Sequence, residues 1–121
     1  MSLRRIILET GMGNDLYGED YTKAACRAVE DAIHHSSIIM FRSLALDSKK
    51  MHVRVTIGVA KPDLVDIEPV KKTLPHGVIS VSTVPGGLNI NDFENGTISV
   101  IATAAVEAFY ETELLRFIKT R

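Results

Sequence analysis

The chain contains few of the residues that mark secreted, membrane or metal-binding proteins. Its 121 residues include a single cysteine, Cys26, and no tryptophan. One cysteine cannot form an internal disulfide, and no Cys/His spacing typical of a zinc site is present. No apolar run approaches the roughly eighteen residues of a membrane-spanning helix. The N-terminus also lacks the apolar core of a signal peptide. These absences predict a cytoplasmic protein.

The chain also has no excess of positive or negative charge. It contains fourteen lysines and arginines and fifteen aspartates and glutamates, which gives a net charge of −1. Binding to nucleic acid or to a membrane surface would require a concentrated basic patch, so neither partner is expected. With 45% hydrophobic and 24% charged residues, the composition is that of an ordinary globular protein. The length predicts one domain over residues 1–121.

The first half of the chain reads as a strand followed by a helix. Arg5 to Glu9 is typical of a short strand, and the turn-forming residues 11–15 are predicted to end it. Asp20 is a candidate N-cap for a helix over 21–34, whose apolar stripe consists mainly of small residues. Such a helix should lie close against a sheet. Residues 38–50 are compatible with either a short helix or a loop.

The second half contains the clearest strand signal. His52 to Val59 alternates between apolar and polar residues, and Asp66 is a candidate cap for a helix over 66–74. Further strands are predicted at Val78 to Thr83 and at Thr97 to about Ala105. From Val106 to Arg121 the pattern is that of an amphipathic helical tail. Its apolar residues at helical spacing are Tyr110, Leu114, Phe117 and Ile118.

The element order is therefore β-α-β-α-β-β, which predicts an α+β two-layer sandwich. Each helix has a single apolar stripe, so both should cover the same face of a mixed four-stranded sheet. Strand-helix-strand connections are expected to be parallel and right-handed.

Residues 11–18, with the sequence GMGNDLYG, resemble the signature of a small family of conserved proteins of unknown function. That family carries Gly-x-Gly-x-Asp-x-His-Gly near its N-terminus, and Tyr17 departs from it where the family usually has histidine. The likeness continues through the stretches VTIGVAKPDLVD and PGG. It brings no known activity with it.

A second resemblance concerns the fold. The element order, the glycine-rich stretch before an alanine-rich helix and the segment TISVIATA are similar to the C-terminal domain of tubulin and FtsZ. This implies a chorismate-mutase-like two-layer fold. A shared fold does not imply a shared function.

The glycine-rich stretch allows two interpretations. Glycines before a helix can present backbone amides to an anion. Here Leu16 replaces the third glycine of a dinucleotide motif, and four nearby carboxylates would repel a phosphate. A hydroxylated, amine-bearing or cation-assisted ligand fits better. In the alternative interpretation, the glycines supply positive φ angles while Asp15 and Asp20 bond local amides.

The ligand hypothesis assigns specific roles. Asp15 is the candidate metal ligand or hydrogen-bond acceptor, Tyr17 would orient the ligand, and Glu9 is a candidate general base. No particular cofactor is indicated. Cys26 is predicted to pack in the core, and the adjacent His34 and His35 point too far apart to chelate one ion. The predicted ligand-binding residues are Gly11, Gly13, Asp15, Tyr17, Gly18 and Asp20.

The sheet face opposite the helices is the second candidate region. Its predicted polar residues include His52, Arg54 and Thr56, together with serines and threonines of the later strands. Apolar and other residues are predicted among them: Arg5, Ile7, Glu9, Val78, Ile101 and Ala105. That mixture is typical of a self-association surface or a ligand floor. Two functions follow: a homo-oligomeric domain that binds a small ligand, or a self-associating structural or regulatory protein without a ligand site.

Overall fold

The computed structural model describes residues 3–34, 50–74 and 77–111. The ambiguous segment 38–50 lies outside the described residues apart from Lys50, as do residues 112–121. The elements are β1 (Leu3–Asp15), α1 (Tyr21–His34), β2 (His52–Val59), a short 3-10 helix (Pro62–Leu64), α2 (Ile67–Lys71), β3 (Val78–Pro85), β4 (Leu88–Asp92) and β5 (Thr97–Glu111).

The strands form one mixed sheet in the order β1-β5-β2-β3. The long strand β5 is central: β1 runs antiparallel along one of its edges, and β2 and then β4 run antiparallel along the other. β2 and β3 are parallel, as expected for strands joined through a helix. The α+β class and the mixed sheet are confirmed.

β1 is longer than the sequence predicts. Gly11 to Asp15 is not a turn but the second half of the strand, and Gly11 and Gly13 pair with Ala104 and Ala102 of β5. The predicted end of the strand at Glu9 is therefore wrong. The glycines are present because α1 crosses this part of the strand so closely that a side chain would overlap the helix backbone.

The sheet has five strands, not the predicted four, because β4 was not expected. It is only five residues long and has a weak apolar pattern. A tight turn joins it to β5, with Gly96 at φ 65°. The Asp92 carboxylate accepts hydrogen bonds from the backbone of Glu94 and Asn95 and from the Asn95 side chain. The Asn95 side-chain bond is the main cause of the lowered pKa of Asp92.

The predicted helical start of the tail is wrong for residues 106–111, which continue β5. Val106, Ala108 and Tyr110 are buried on the helix-covered face, and the residues between them are half-buried. Burial therefore alternates with the period of a strand.

Both helices cover one face of the sheet, as predicted. The small buried residues of α1, namely Ala24, Ala25, Ala28, Val29 and Ala32, pack on β1 and β5. α2 contacts α1 and β3 and is shorter than the predicted 66–74, although the Asp66 side chain caps it as expected by accepting from Glu68 N at 3.1 Å. Among the described residues, no helix is long and apolar enough to cross a membrane.

One irregularity in β1 changes which residues face the helices. A register shift lies between Arg5 and Ile7. Beyond it, Ile7 pairs with Ala108 and Glu9 pairs with Val106, both on the helix-covered side. The predicted placement of Ile7 and Glu9 on the open face is therefore wrong, because a bulge reverses the alternation that the sequence suggests.

Candidate functional site

The corner between β1 and α1 is organised by Asp15, the last residue of the strand. Its buried carboxylate accepts a hydrogen bond from Asp20 N at 2.9 Å through Oδ2, and its Oδ1 lies 3.6 Å from Arg27 Nη1. Asp20 Oδ1 in turn accepts from Lys23 N at 2.9 Å, which confirms the predicted helix cap. Both carboxylates therefore bond backbone amides at the start of α1.

The glycines of this corner do not supply positive φ angles. Among the described residues of the corner, only Glu19 adopts one, at φ 48°. Gly18 instead leaves room for a neighbour, because a Cβ there would lie 2.9 Å from Asp15 Oδ2. Gly11 and Gly13 are covered by α1, so their role is close helix-strand packing. They offer no surface to a ligand on that side.

Glu9 does not join the predicted group of carboxylates. It lies six residues before Asp15 on an extended strand, a distance of about 20 Å. It is also half-buried on the helix-covered face. The negative charge at the corner is further offset by Arg27, which the sequence places far from Asp15. Within the described ranges, no group of three or more His, Cys, Asp or Glu residues is arranged to hold a metal ion.

The remaining candidates divide between the surface and the core. Tyr17 is well exposed, and the carbonyl of its neighbour Leu16 accepts the Ser99 hydroxyl at 3.1 Å. Cys26 packs against the core, where burial raises the pKa of its thiol, with smaller contributions from Glu30 and Asp20. A raised pKa keeps the thiol protonated and unreactive. His34 ends α1, and His35 lies outside the described residues.

Two substitutions test whether Asp15 serves the fold. Asp15→Ala removes the acceptor of Asp20 N and is expected to lower the free energy of unfolding by about 1–3 kcal/mol. Asp15→Asn keeps an oxygen acceptor, and the pairing with the half-exposed Arg27 contributes little, so this change is expected to cost less than about 1 kcal/mol. Urea unfolding measures both, and magnesium or calcium should not shift the midpoint. An Asn variant more stable than the parent would contradict a structural role.

The open face of the sheet carries its charges in one group. Glu107 lies between two arginines: Arg54 binds both of its oxygens, at 3.0 and 3.1 Å, and Arg5 approaches at 3.3 Å. The hydrogen bonds from Arg54 are the first cause of the lowered pKa of Glu107. The Arg54 guanidinium also lies 4.9 Å above the Phe109 ring. One carboxylate therefore binds two guanidiniums, and the group keeps one net positive charge.

Next to this group lies a shallow depression of about 600 Å³ on the open face. Small residues form its floor: Thr10, Thr56, Gly58, Thr103 and Ala105. Met12 and Val84 flank it. The sequence places Thr56, Thr103 and Ala105 on this face correctly. It misses Thr10 and Met12, because β1 was predicted to end at Glu9.

Exposed aliphatic side chains surround the depression and the charged group. They are Leu3, Leu8, Met12, Val78, Val84, Leu88 and Ile90. Cross-strand register places them on the open face, since their partners there include Glu107, Thr103 and Ile101. Leu88 and Ile90 could not be assigned from the sequence, because they belong to the unexpected strand β4.

Comparisons with known proteins place this arrangement in a family. The chain is similar to a crystal structure of an FtsZ-like protein of unknown function from Nostoc punctiforme PCC 73102, with 32% identity, a TM-score of 0.79 and coverage of 92% of this chain and 98% of that chain. No curated protein matches the chain. Residues 5–108 match the family described as "Conserved hypothetical protein (Lin0512_fam)". The chain therefore belongs to this conserved hypothetical family.

Proposed function

We propose that this protein is a self-associating domain with a structural or regulatory role, and that the open sheet face is the contact between copies. The observation that carries the proposal is the set of exposed aliphatic side chains that border the open face on β1, β3 and β4. Single exposed apolar residues are ordinary on protein surfaces. Several of them on one sheet face, among hydrogen-bonding groups, are typical of a surface that associates with another protein.

The charge pattern favours a second copy as the partner. Glu107 offsets one of the two arginines that bind it, so the group carries a single net positive charge and no strong field. A nucleic acid or an anionic membrane would need unpaired basic groups. Two copies of a face that is aliphatic, hydroxyl-bearing and nearly neutral can pack like against like, as in an isologous interface.

A ligand at the corner formed by residues 11–20 has less support. The carboxylates of Asp15 and Asp20 already accept local backbone amides, and Gly11 and Gly13 are covered by α1. The exposed ring of Tyr17 is the feature that still favours a ligand there. Glu9 lies too far from the corner to act as a general base on a ligand bound there.

Light scattering at micromolar concentration tests the proposal. The parent protein is expected to have a mass well above the 13.3 kDa of one chain. Leu88→Lys places a charge in the contact and should lower that mass, because a buried unpaired charge is costly. Leu88 is 56% exposed in one copy, so the change should not disturb folding.

Leu64 provides a matched control for this substitution. It is 58% exposed and lies in the 3-10 helix, which contacts α1 and is therefore on the other side of the sheet. Leu64→Lys adds the same charge and should leave the mass unchanged. A parent mass of 13.3 kDa, or an equal effect of both variants, would show that the open face is not the contact.

A further inference from the structure

β1 and β3 lie at opposite edges of the sheet and differ in how their outer backbone groups are paired. The outer edge of β1 is partly closed by α1: Asp31 Oδ2 accepts from Met12 N at 2.9 Å, and Arg27 Nη1 donates to Asn14 O at 2.7 Å. β3 forms the other edge. Within the described ranges its backbone ladder is made with β2 alone, and no side chain bonds its outer groups. An edge strand of this kind presents a row of unpaired N–H and C=O groups.

The composition of β3 does not protect this edge. Its sequence VISVSTVP contains no charged residue, and its proline, Pro85, is the last residue. Edge strands that remain unpaired usually carry a lysine, an internal proline or a bulge. β1 has a bulge and several charged residues, whereas β3 has a regular register with β2 over eight residues. The β3 edge is therefore suited to pairing with another strand.

The sequence of β3 is also nearly symmetric about its centre. Reading outward from Val81, serine stands on both sides at Ser80 and Ser82. Ile79 and Thr83, both β-branched, follow, and then Val78 and Val84. An antiparallel copy of the strand centred on Val81 would place each residue opposite a similar one. Cross-strand pairs of this type stabilise a sheet.

We infer that β3 pairs antiparallel with β3 of a second copy around a two-fold axis through Val81. This inference rests on the proposed self-association but uses a different surface, the sheet edge. The pairing continues one sheet through both copies and joins their open faces. On that joined face, Val78 and the partner's Val84 become direct neighbours. These side chains are 57% and 42% exposed in a single copy, so the contact removes apolar surface from water on both sides of the axis.

The two-fold register makes a geometric prediction for one residue. At the axis, Val81 faces its own copy, and facing residues on antiparallel strands have Cα atoms about 4.5–5.5 Å apart. That spacing is within the range of a disulfide. In a Cys26→Ala background, Val81→Cys is therefore expected to form a covalent dimer under mild oxidation. A non-reducing gel and intact mass measure the product.

Thr83→Cys in the same background is the matched control. Thr83 lies on the same face of β3, two residues from Val81, and its side chain is half-buried, as that of Val81 is. In the inferred register Thr83 opposes Ile79 of the other copy, so two cysteines at 83 would be separated by about 13 Å along the strand. No disulfide should form. Equal cross-linking of both variants, or none at Val81→Cys, would overturn the β3 pairing.

The cross-linking and mass measurements distinguish the β3 pairing from association through the open face. If the parent protein is larger than a monomer and Leu88→Lys lowers its mass, but Val81→Cys does not cross-link, the β3 pairing is wrong and self-association through the open face stands. If Val81→Cys cross-links and Leu88→Lys leaves the mass unchanged, the β3 pairing stands and the open face is not the contact.

Discussion

Gly13→Ala is expected to destabilise the protein by about 3 kcal/mol, the upper end of the usual cost of overpacking a core. A Cβ at Gly13 would overlap the backbone of α1 at Ala28 N and Ala24 O. Backbone atoms in the middle of a helix cannot rotate away as a side chain can. The whole helix would therefore have to move off β1, and its alanine stripe would lose contact with the sheet.

Urea unfolding at fixed protein concentration measures the effect, because self-association makes stability depend on concentration. Gly96→Ala is the control: a Cβ there meets nothing within 4 Å, but the residue has φ 65°. The left-handed conformation alone costs roughly 1–2 kcal/mol for a residue with a side chain. If Gly13→Ala is no more destabilising than Gly96→Ala, the close contact between β1 and α1 is not what requires glycine at position 13.

The same glycines show what the sequence could not provide. A Gly-x-Gly stretch before a helix is read as a turn, because positive φ is the commonest use of glycine. Its actual use depends on how closely the backbone of α1, at Ala24 and Ala28, approaches the strand. The predicted stripe of small residues on α1 indicated close packing against a sheet. It did not indicate that the partner would be Gly11 and Gly13, because that contact exists only in the folded chain.

Elements with strong local signals were predicted well. β2 alternates over its whole length, and both Asp20 and Asp66 accept the backbone hydrogen bonds expected of helix caps. β4 is short and its pairing with β5 is set by the folded sheet, so local pattern gave too little information. The bulge in β1 also could not be predicted from the local pattern. It turns Ile7 and Glu9 to the helix-covered face of the sheet.

The sequence predicts part of the candidate surfaces. The polar residues of β2 were placed on the open face correctly, and the symmetry of residues 78–84 can be read from the letters alone. That β3 is an outer strand cannot be read in this way, because strand order follows from β5 lying between β1 and β2. The corner residue Asp15 was found, but its partner Arg27 approaches it only through the packing of α1 on β1.

The second large effect is expected at Tyr110, in the part of β5 that the sequence predicts to be helical. The side chain is buried among the core residues on the helix-covered face. Tyr110→Ala is therefore expected to lower the free energy of unfolding by about 3–5 kcal/mol, as for other large aromatic residues truncated in a core. Such a loss is a large part of the stability of a small domain.

The neighbouring aromatic residue makes the test specific for a strand. Phe109 faces the opposite side of the sheet, is half-buried and lies beneath the Arg54 guanidinium. Phe109→Ala should cost only about 1–2 kcal/mol, from partial burial and the cation–π contact. Urea unfolding of both variants at one protein concentration gives the comparison. An equal cost at the two positions would contradict the alternation of faces, because only in an extended strand do Phe109 and Tyr110 point to opposite sides of one sheet.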